Sequence, residues 1–243
     1  MTAADREAPG GRLLVVALLG TLVLWNVPYG WVALYPFKIF ATWIHESSHA
    51  LFMLATGAGL DRLEIFRDTS GLAHPVRGVP AAAQALISSA GYMGTALFGA
   101  TFLVLGRTDR GGRGVLLVVS ALMVVSVIGA IRNGFGALAI GAEAVALGAL
   151  ALWGGERVCA FAVSFLAAQS CINAVLDIRV LFGATMYVNG LAHRDSDADT
   201  MARVVGGPPA LWAALWLAWS FAMFYVALRV TRPRPSTPAL APA

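Results

Sequence analysis

Residues 36–57 read PFKIFATWIHESSHALFMLATG, and His45-Glu46-Ser47-Ser48-His49 sits inside this apolar run. An ionisable group at membrane depth costs roughly 2.5–3.5 kcal/mol on insertion scales unless it is paired or bound. Two imidazoles and a carboxylate in one such stretch therefore need a compensating partner, and a metal ion supplies one. On a helix His45 and His49 are four residues apart and share a face, so both ring nitrogens can reach a single zinc ion. Glu46, next to His45, points to the edge of that site, where it can hold a water rather than the ion. This is the HExxH spacing, in which one helix presents two ligands and a general base. In a soluble helix the same residues would simply be solvated. Here the flanks are Trp43, Ile44, Ala50, Leu51, Phe52, Met53 and Leu54, which rule that out.

The composition agrees with a bilayer setting. The 243 residues are 58% hydrophobic and only 12% charged, with a mean hydropathy of +0.74. Such a chain is an integral membrane protein, with most of its length taken by spans of about 20 residues. The net charge of +4 is carried by Arg, with Lys38 the only lysine. In a membrane protein that charge bears on topology and anionic lipid, and no nucleic-acid motif accompanies it. Cys159 and Cys171 both lie in one apolar stretch and read as buried thiols rather than a metal pair.

Taken in order, the chain divides into a polar segment (1–12), a polytopic membrane domain (13–230) and a Pro-rich tail (231–243) that reads as unstructured. The domain is expected to be all-α, with about seven transmembrane helices. Residues 13–35 form a first span, bent near Pro28 and Gly30, and the HExxH helix follows over 36–57. Leu60–Phe66 is strand-like and Asp68-Thr69-Ser70-Gly71 is a turn signal, so residues 60–77 allow one short β-hairpin. Residues 81–105 form a third span, with Gly91, Thr95 and Gly99 recurring every fourth residue, a face that admits close helix packing. Residues 114–153 hold two spans broken at Arg132-Asn133-Gly134. A sixth covers 157–182 and a Trp-rich seventh 211–229, with the polar stretch 183–208 between them.

A catalytic zinc usually takes three protein ligands and leaves one position for water. The third is sought among Asp177 and Glu143 within spans and His74, His193 and Asp197 in loops. Depth favours Asp177. The second and sixth spans run parallel. His49 lies about 12 Å before the end of its span and Asp177 about 9 Å before the end of its own, at 1.5 Å per residue. Asn173 is one turn from Asp177 on the same face, while Glu143 sits nearer the middle of its span and suits a supporting role.

With these residues in view, the sequence resembles the site-2 protease family of intramembrane zinc metalloproteases, and within it the small bacterial peptidase-like integral membrane subgroup. The resemblance rests on His45-Glu46-Ser47-Ser48-His49-Ala50 and on Asn173 through Leu176-Asp177. Ala90-Gly91-Tyr92 with Gly94, and Ser196-Asp197-Ala198, also fit the subgroup. Where the family has Leu-Asp-Gly this chain has Leu176-Asp177-Ile178, and the prolines expected before it are absent. The resemblance implies one zinc per chain held by His45, His49 and Asp177, with Glu46 as the catalytic carboxylate. Asn173 would then be a candidate for positioning substrate or its developing oxyanion. The implied activity is hydrolysis of peptide bonds in membrane-spanning or membrane-associated proteins, in a bacterial cell membrane. It also implies that 58–80 and 183–208 face the cytosol. The competing readings are a zinc-binding membrane transporter and a catalytically inactive scaffold.

Overall fold

The computed structural model describes residue 16 and residues 19–24, 26–106, 109–180, 186–188, 191–193 and 196–231. The side chains of 109, 110, 174–180, 186–188 and 191–193 are not among the described parts. The segment 1–12 and the tail from 232 lie outside the described residues.

Residues 19–24 are helical, and the chain then turns at 27–29. Tyr29 sits at φ 61, and Gly30 packs so tightly that a Cβ there would lie 1.7 Å from the Leu24 carbonyl oxygen. Only glycine makes that reversal without displacing backbone. Helix α1 (Gly30–Ala55) starts directly after it and carries Pro36 inside. The expected bend is therefore in place, but the HExxH helix begins at Gly30 rather than at 36, because the reversal rather than Pro36 sets its start.

A hairpin follows, β1 (Leu60–Ile65) against β2 (Gly71–Pro75), antiparallel, with Leu63 opposite Ala73 and Ile65 opposite Gly71. Next come α2 (Ala81–Leu105), α3 (Asp109–Gly129), α4 (Gly134–Trp153) and α5 (Glu156–Val180). Two short strands, β3 (Met186–Val188) and β4 (Leu191–His193), pair antiparallel ahead of α6 (Asp197–Val204) and α7 (Pro209–Thr231). The stretch 183–208, expected as a polar loop, thus holds a second small hairpin and a helix.

The protein is an all-α integral membrane protein with β-hairpins between its helices. Among the described residues, four helices are long and apolar enough to cross a membrane: Ala81–Leu105, Gly111–Gly129, Gly134–Trp153 and Pro209–Thr231. The sequence predicts about seven spans, adding 13–35, 36–57 and 157–182 to these four. At 26 and 25 residues, α1 and α5 have the length to cross, and α1 carries His45, Glu46 and His49.

The main core joins α1, α2, α3, α4 and α5 through Phe40, Trp43, Ile44, Phe102, Leu116, Met123, Ile140 and Val163. The small-residue face of α2 brings its neighbours close. A Cβ at Gly94 would meet Ser48 of α1, and one at Gly99 would meet Cys171 and Ala167 of α5. A separate cluster of Tyr92, Ala198, Met201, Ala213 and Trp216 seats α6 against α2 and α7. The hairpin is tied down along α1: the Tyr35 hydroxyl donates to the Arg67 carbonyl at 2.7 Å, and Thr42 Oγ1 donates to the Thr69 carbonyl at 2.6 Å.

Candidate metal centre and active site

His45 and His49 leave the same face of α1 one turn apart, with Nε2 to Nε2 at 2.9 Å. His49 Nδ1 lies 2.6 Å from the Ile87 carbonyl oxygen of α2. A carbonyl can only accept, so Nδ1 carries the proton and Nε2 presents its lone pair. His45 is packed by rings, meeting His49 and Tyr92 edge-on at 4.7 Å each, while Tyr92 stacks on Trp216 at 4.9 Å.

The third group is Asp197, the first residue of α6. Its Oδ2 is 3.5 Å from His45 Nε2 and 3.3 Å from His49 Nε2. The local sequence explains why a helix starts there. Ser196 is an N-cap whose hydroxyl accepts from the Asp199 backbone N–H, while the Asp199 carboxylate accepts from the Ser196 N–H, a reciprocal capping box. Ala198 and Met201 then bury against α2 and α7 and aim the preceding Asp197 at the histidines. Burial pushes the Asp197 carboxyl up, but the charge that His49 and His45 carry when protonated, with the hydrogen bonds they then donate, holds the group below the usual carboxylate range.

The donor set fits a zinc ion. Tetrahedral zinc with ligand bonds of about 2.0–2.1 Å separates its ligand atoms by about 3.3 Å, close to the spacings of these three. The backbone of α2 leaves room for the two imidazoles. A Cβ on Gly91 would stand 2.3 Å from His45 Nε2 and 2.5 Å from His49 Nε2. The spacing of Gly91, Thr95 and Gly99 reads as a packing face, and at Gly91 what it admits is the pair of imidazoles. Gly91→Ala is expected to weaken zinc binding by about 10–100-fold, the range typical of lost support around a metal. Chelator competition on purified protein checks this. Gly78→Ala, with nothing within 4 Å of its Cβ, serves as the control.

Glu46 is buried and lines a cavity of about 260 Å³ together with His45, His49, Tyr92 and Asp197. The other walls are β2, through Gly71, Leu72, Ala73 and Pro75, and α2, through Gln84, Ile87 and Ser88. Gly71 lets the strand close on the carboxylate, since a Cβ there would lie 2.6 Å from Glu46 Cγ.

Among the described residues, one edge of β2 is open. The Leu63 N–H donates to the Ala130 carbonyl at 2.9 Å, and the Leu63 carbonyl accepts from the Arg132 N–H at 3.1 Å. Ile65 does the same with the Asn133 side chain, at 3.1 Å and 2.5 Å. Both residues thus point their backbone groups away from β2. In an antiparallel ladder their partners Ala73 and Gly71 must then point theirs the other way, to the edge that β1 does not cover.

The remaining candidates fall elsewhere. His74 Nε2 pairs with Glu64 Oε2 at 2.9 Å on the hairpin. Glu143 stands apart on α4, with a buried carboxylate oxygen that has no hydrogen-bond partner among the described residues. Asn173 is buried on α5, its Nδ2 has no partner among the described residues, and it does not line the cavity. The side chains of Asp177 and His193 lie outside the described residues. Asp197 was one loop candidate among several in the sequence, and its signal was the Ser196-x-x-Asp199 cap. Nothing local marked Ile87, whose carbonyl orients a histidine 38 positions away.

The family model described as Peptidase M50B-like matches residues 14–227. No curated protein and no solved structure matches the chain.

Proposed function

The chain belongs to the Peptidase M50B-like family, a site-2 protease family domain, and from that premise we propose that it is a zinc metallopeptidase of the membrane, hydrolysing peptide bonds in membrane-spanning or membrane-associated proteins. The observation that carries this reading is the convergence of His45, His49 and Asp197 beside a buried Glu46 in one cavity.

In this reading His45 and His49 supply Nε2, and Asp197 supplies a carboxylate oxygen, to one zinc ion. When bound, zinc lowers the pKa of a water to about 7 and polarises the scissile carbonyl. Glu46 receives the proton of the attacking water and passes it to the leaving amide nitrogen. The Ile87 carbonyl holds the His49 ring through its Nδ1–H, keeping the other nitrogen free as a ligand.

A substrate helix has its carbonyls tied up in i to i−4 bonds, so it must open before any group reaches one. The open edge of β2 offers a replacement. The backbone groups of Gly71 and Ala73 can pair with an extended segment by strand addition, alongside Glu46. In a dry setting this keeps the unwound backbone hydrogen-bonded.

The test reconstitutes the purified protein in lipid with a library of single-span peptides and follows fragments by mass spectrometry. Zinc-dependent cleavage within or next to a span is expected. Metal flux without cleavage would overturn the peptidase reading in favour of a transporter.

A further inference from the structure

A strand added to β2 has a second edge. In water solvent would satisfy it, but at membrane depth every unpaired N–H or C=O costs several kcal/mol. α2 forms another wall of the cavity, and beside Tyr92, which packs on His45, it presents two polar groups there, Gln84 and Ser88, one turn apart. Four residues of helix rise about 6 Å, close to the roughly 6.6 Å between alternate residues of a strand, whose main-chain groups point to the same edge.

Ser88 departs from the pattern that most buried helical hydroxyls follow. Ser48, Thr95, Ser164, Ser170 and Ser220 each donate back to the carbonyl four residues earlier, the usual way to satisfy a buried hydroxyl. Ser88 is 1% exposed, yet it only accepts, from Gln84 Nε2 at a long 3.4 Å. Among the described residues its hydroxyl proton has no acceptor. A buried donor that declines its own helix and lines a cavity is placed for something that enters the cavity.

We infer that Gln84 and Ser88 form a second main-chain rail: they bind the outer edge of an extended polypeptide whose inner edge pairs with β2. The ligand is the peptide backbone itself, so the rail holds strands without regard to side chain. Ser88 donates to a substrate carbonyl, while Gln84 can both donate and accept. The inference rests on the peptidase reading, because it takes an extended substrate in this cavity as given.

The probe is the library peptide cleaved fastest by the wild type, together with versions in which single amides near the scissile bond are replaced by esters. Ser88→Ala and Gln84→Leu are each expected to raise KM about 3- to 10-fold, the loss of one main-chain hydrogen bond, with kcat and zinc content unchanged. Ester penalties should alternate along the peptide. One parity, facing β2, persists in the double variant, and the other, facing α2, disappears in it, as coupled partners do in a double-mutant cycle. An unchanged KM in both variants overturns the rail. So do ester penalties that are identical in wild type and double variant, a readout that stands even if the substitutions alter general packing. Absence of cleavage by the wild type would instead remove the peptidase reading, and the rail with it.

Discussion

Glu46→Gln is expected to bind zinc like the wild type and to lose cleavage of membrane-spanning peptides. The substitution preserves size and a hydrogen bond to water but cannot accept its proton. Glu46 belongs to the cavity without belonging to the ligand group. The three atoms that converge are His45 Nε2, His49 Nε2 and an Asp197 oxygen, while the Glu46 side chain packs against Gly71 of β2. Loss of a general base costs about 100- to 10,000-fold, and more where water activation depends on it. Cleavage rates in reconstituted lipid, beside metal content of the same preparations, provide the measurement. Wild-type cleavage by Glu46→Gln would sink the hydrolytic mechanism. Loss of zinc in this variant would instead make Glu46 a ligand and leave the reaction without its base.

Asp197→Ala should empty the site, whereas Asp177→Ala should keep its zinc. With Asp197 gone, two histidines remain, and the loss should exceed the 10–100-fold typical of disturbing a group that only supports a ligand. Asp197→Ala leaves the capping box of α6 intact, since the N-cap is Ser196 and its partner is Asp199. The helix should therefore stay in place, and the effect can be read as one lost ligand. Metal analysis after dialysis against a weak chelator decides between the two carboxylates. Zinc retained by Asp197→Ala and lost by Asp177→Ala would return the third ligand to α5 and leave Asp197 as a neighbour of the histidines.

Asp197 marks where sequence reasoning stops, while the Asp177 side chain lies outside the described residues. Depth along a span can be counted from residue numbers, because a helix rises a constant distance per residue. That count brought Asp177 level with His49, but it contains nothing about position around the bundle. It also treats 183–208 as a loop with no depth. Asp197 reaches the histidines because Ala198 and Met201 bury against Trp216 and against Tyr92, which lies more than a hundred positions earlier in the chain. The orientation of His49 by Ile87, the closeness of Gly91 to both imidazoles and the free edge of β2 are equally non-local. Each depends on which backbone lies beside which.

Local periodicity and desolvation account for everything that residue order alone made legible. Apolar runs of span length defined the helices of an integral membrane protein. Asn133-Gly134 and Asp68-Thr69-Ser70-Gly71 located two of the reversals. The four-residue spacing of His45 and His49 in an apolar stretch called for a metal, because no unpaired charge is cheap there. The tertiary structure alone decided which third side chain stands beside that pair, and which strand edge and which turn of α2 enclose Glu46. Those choices are made by packing between distant segments, and packing energy carries no signature in the order of neighbouring residues.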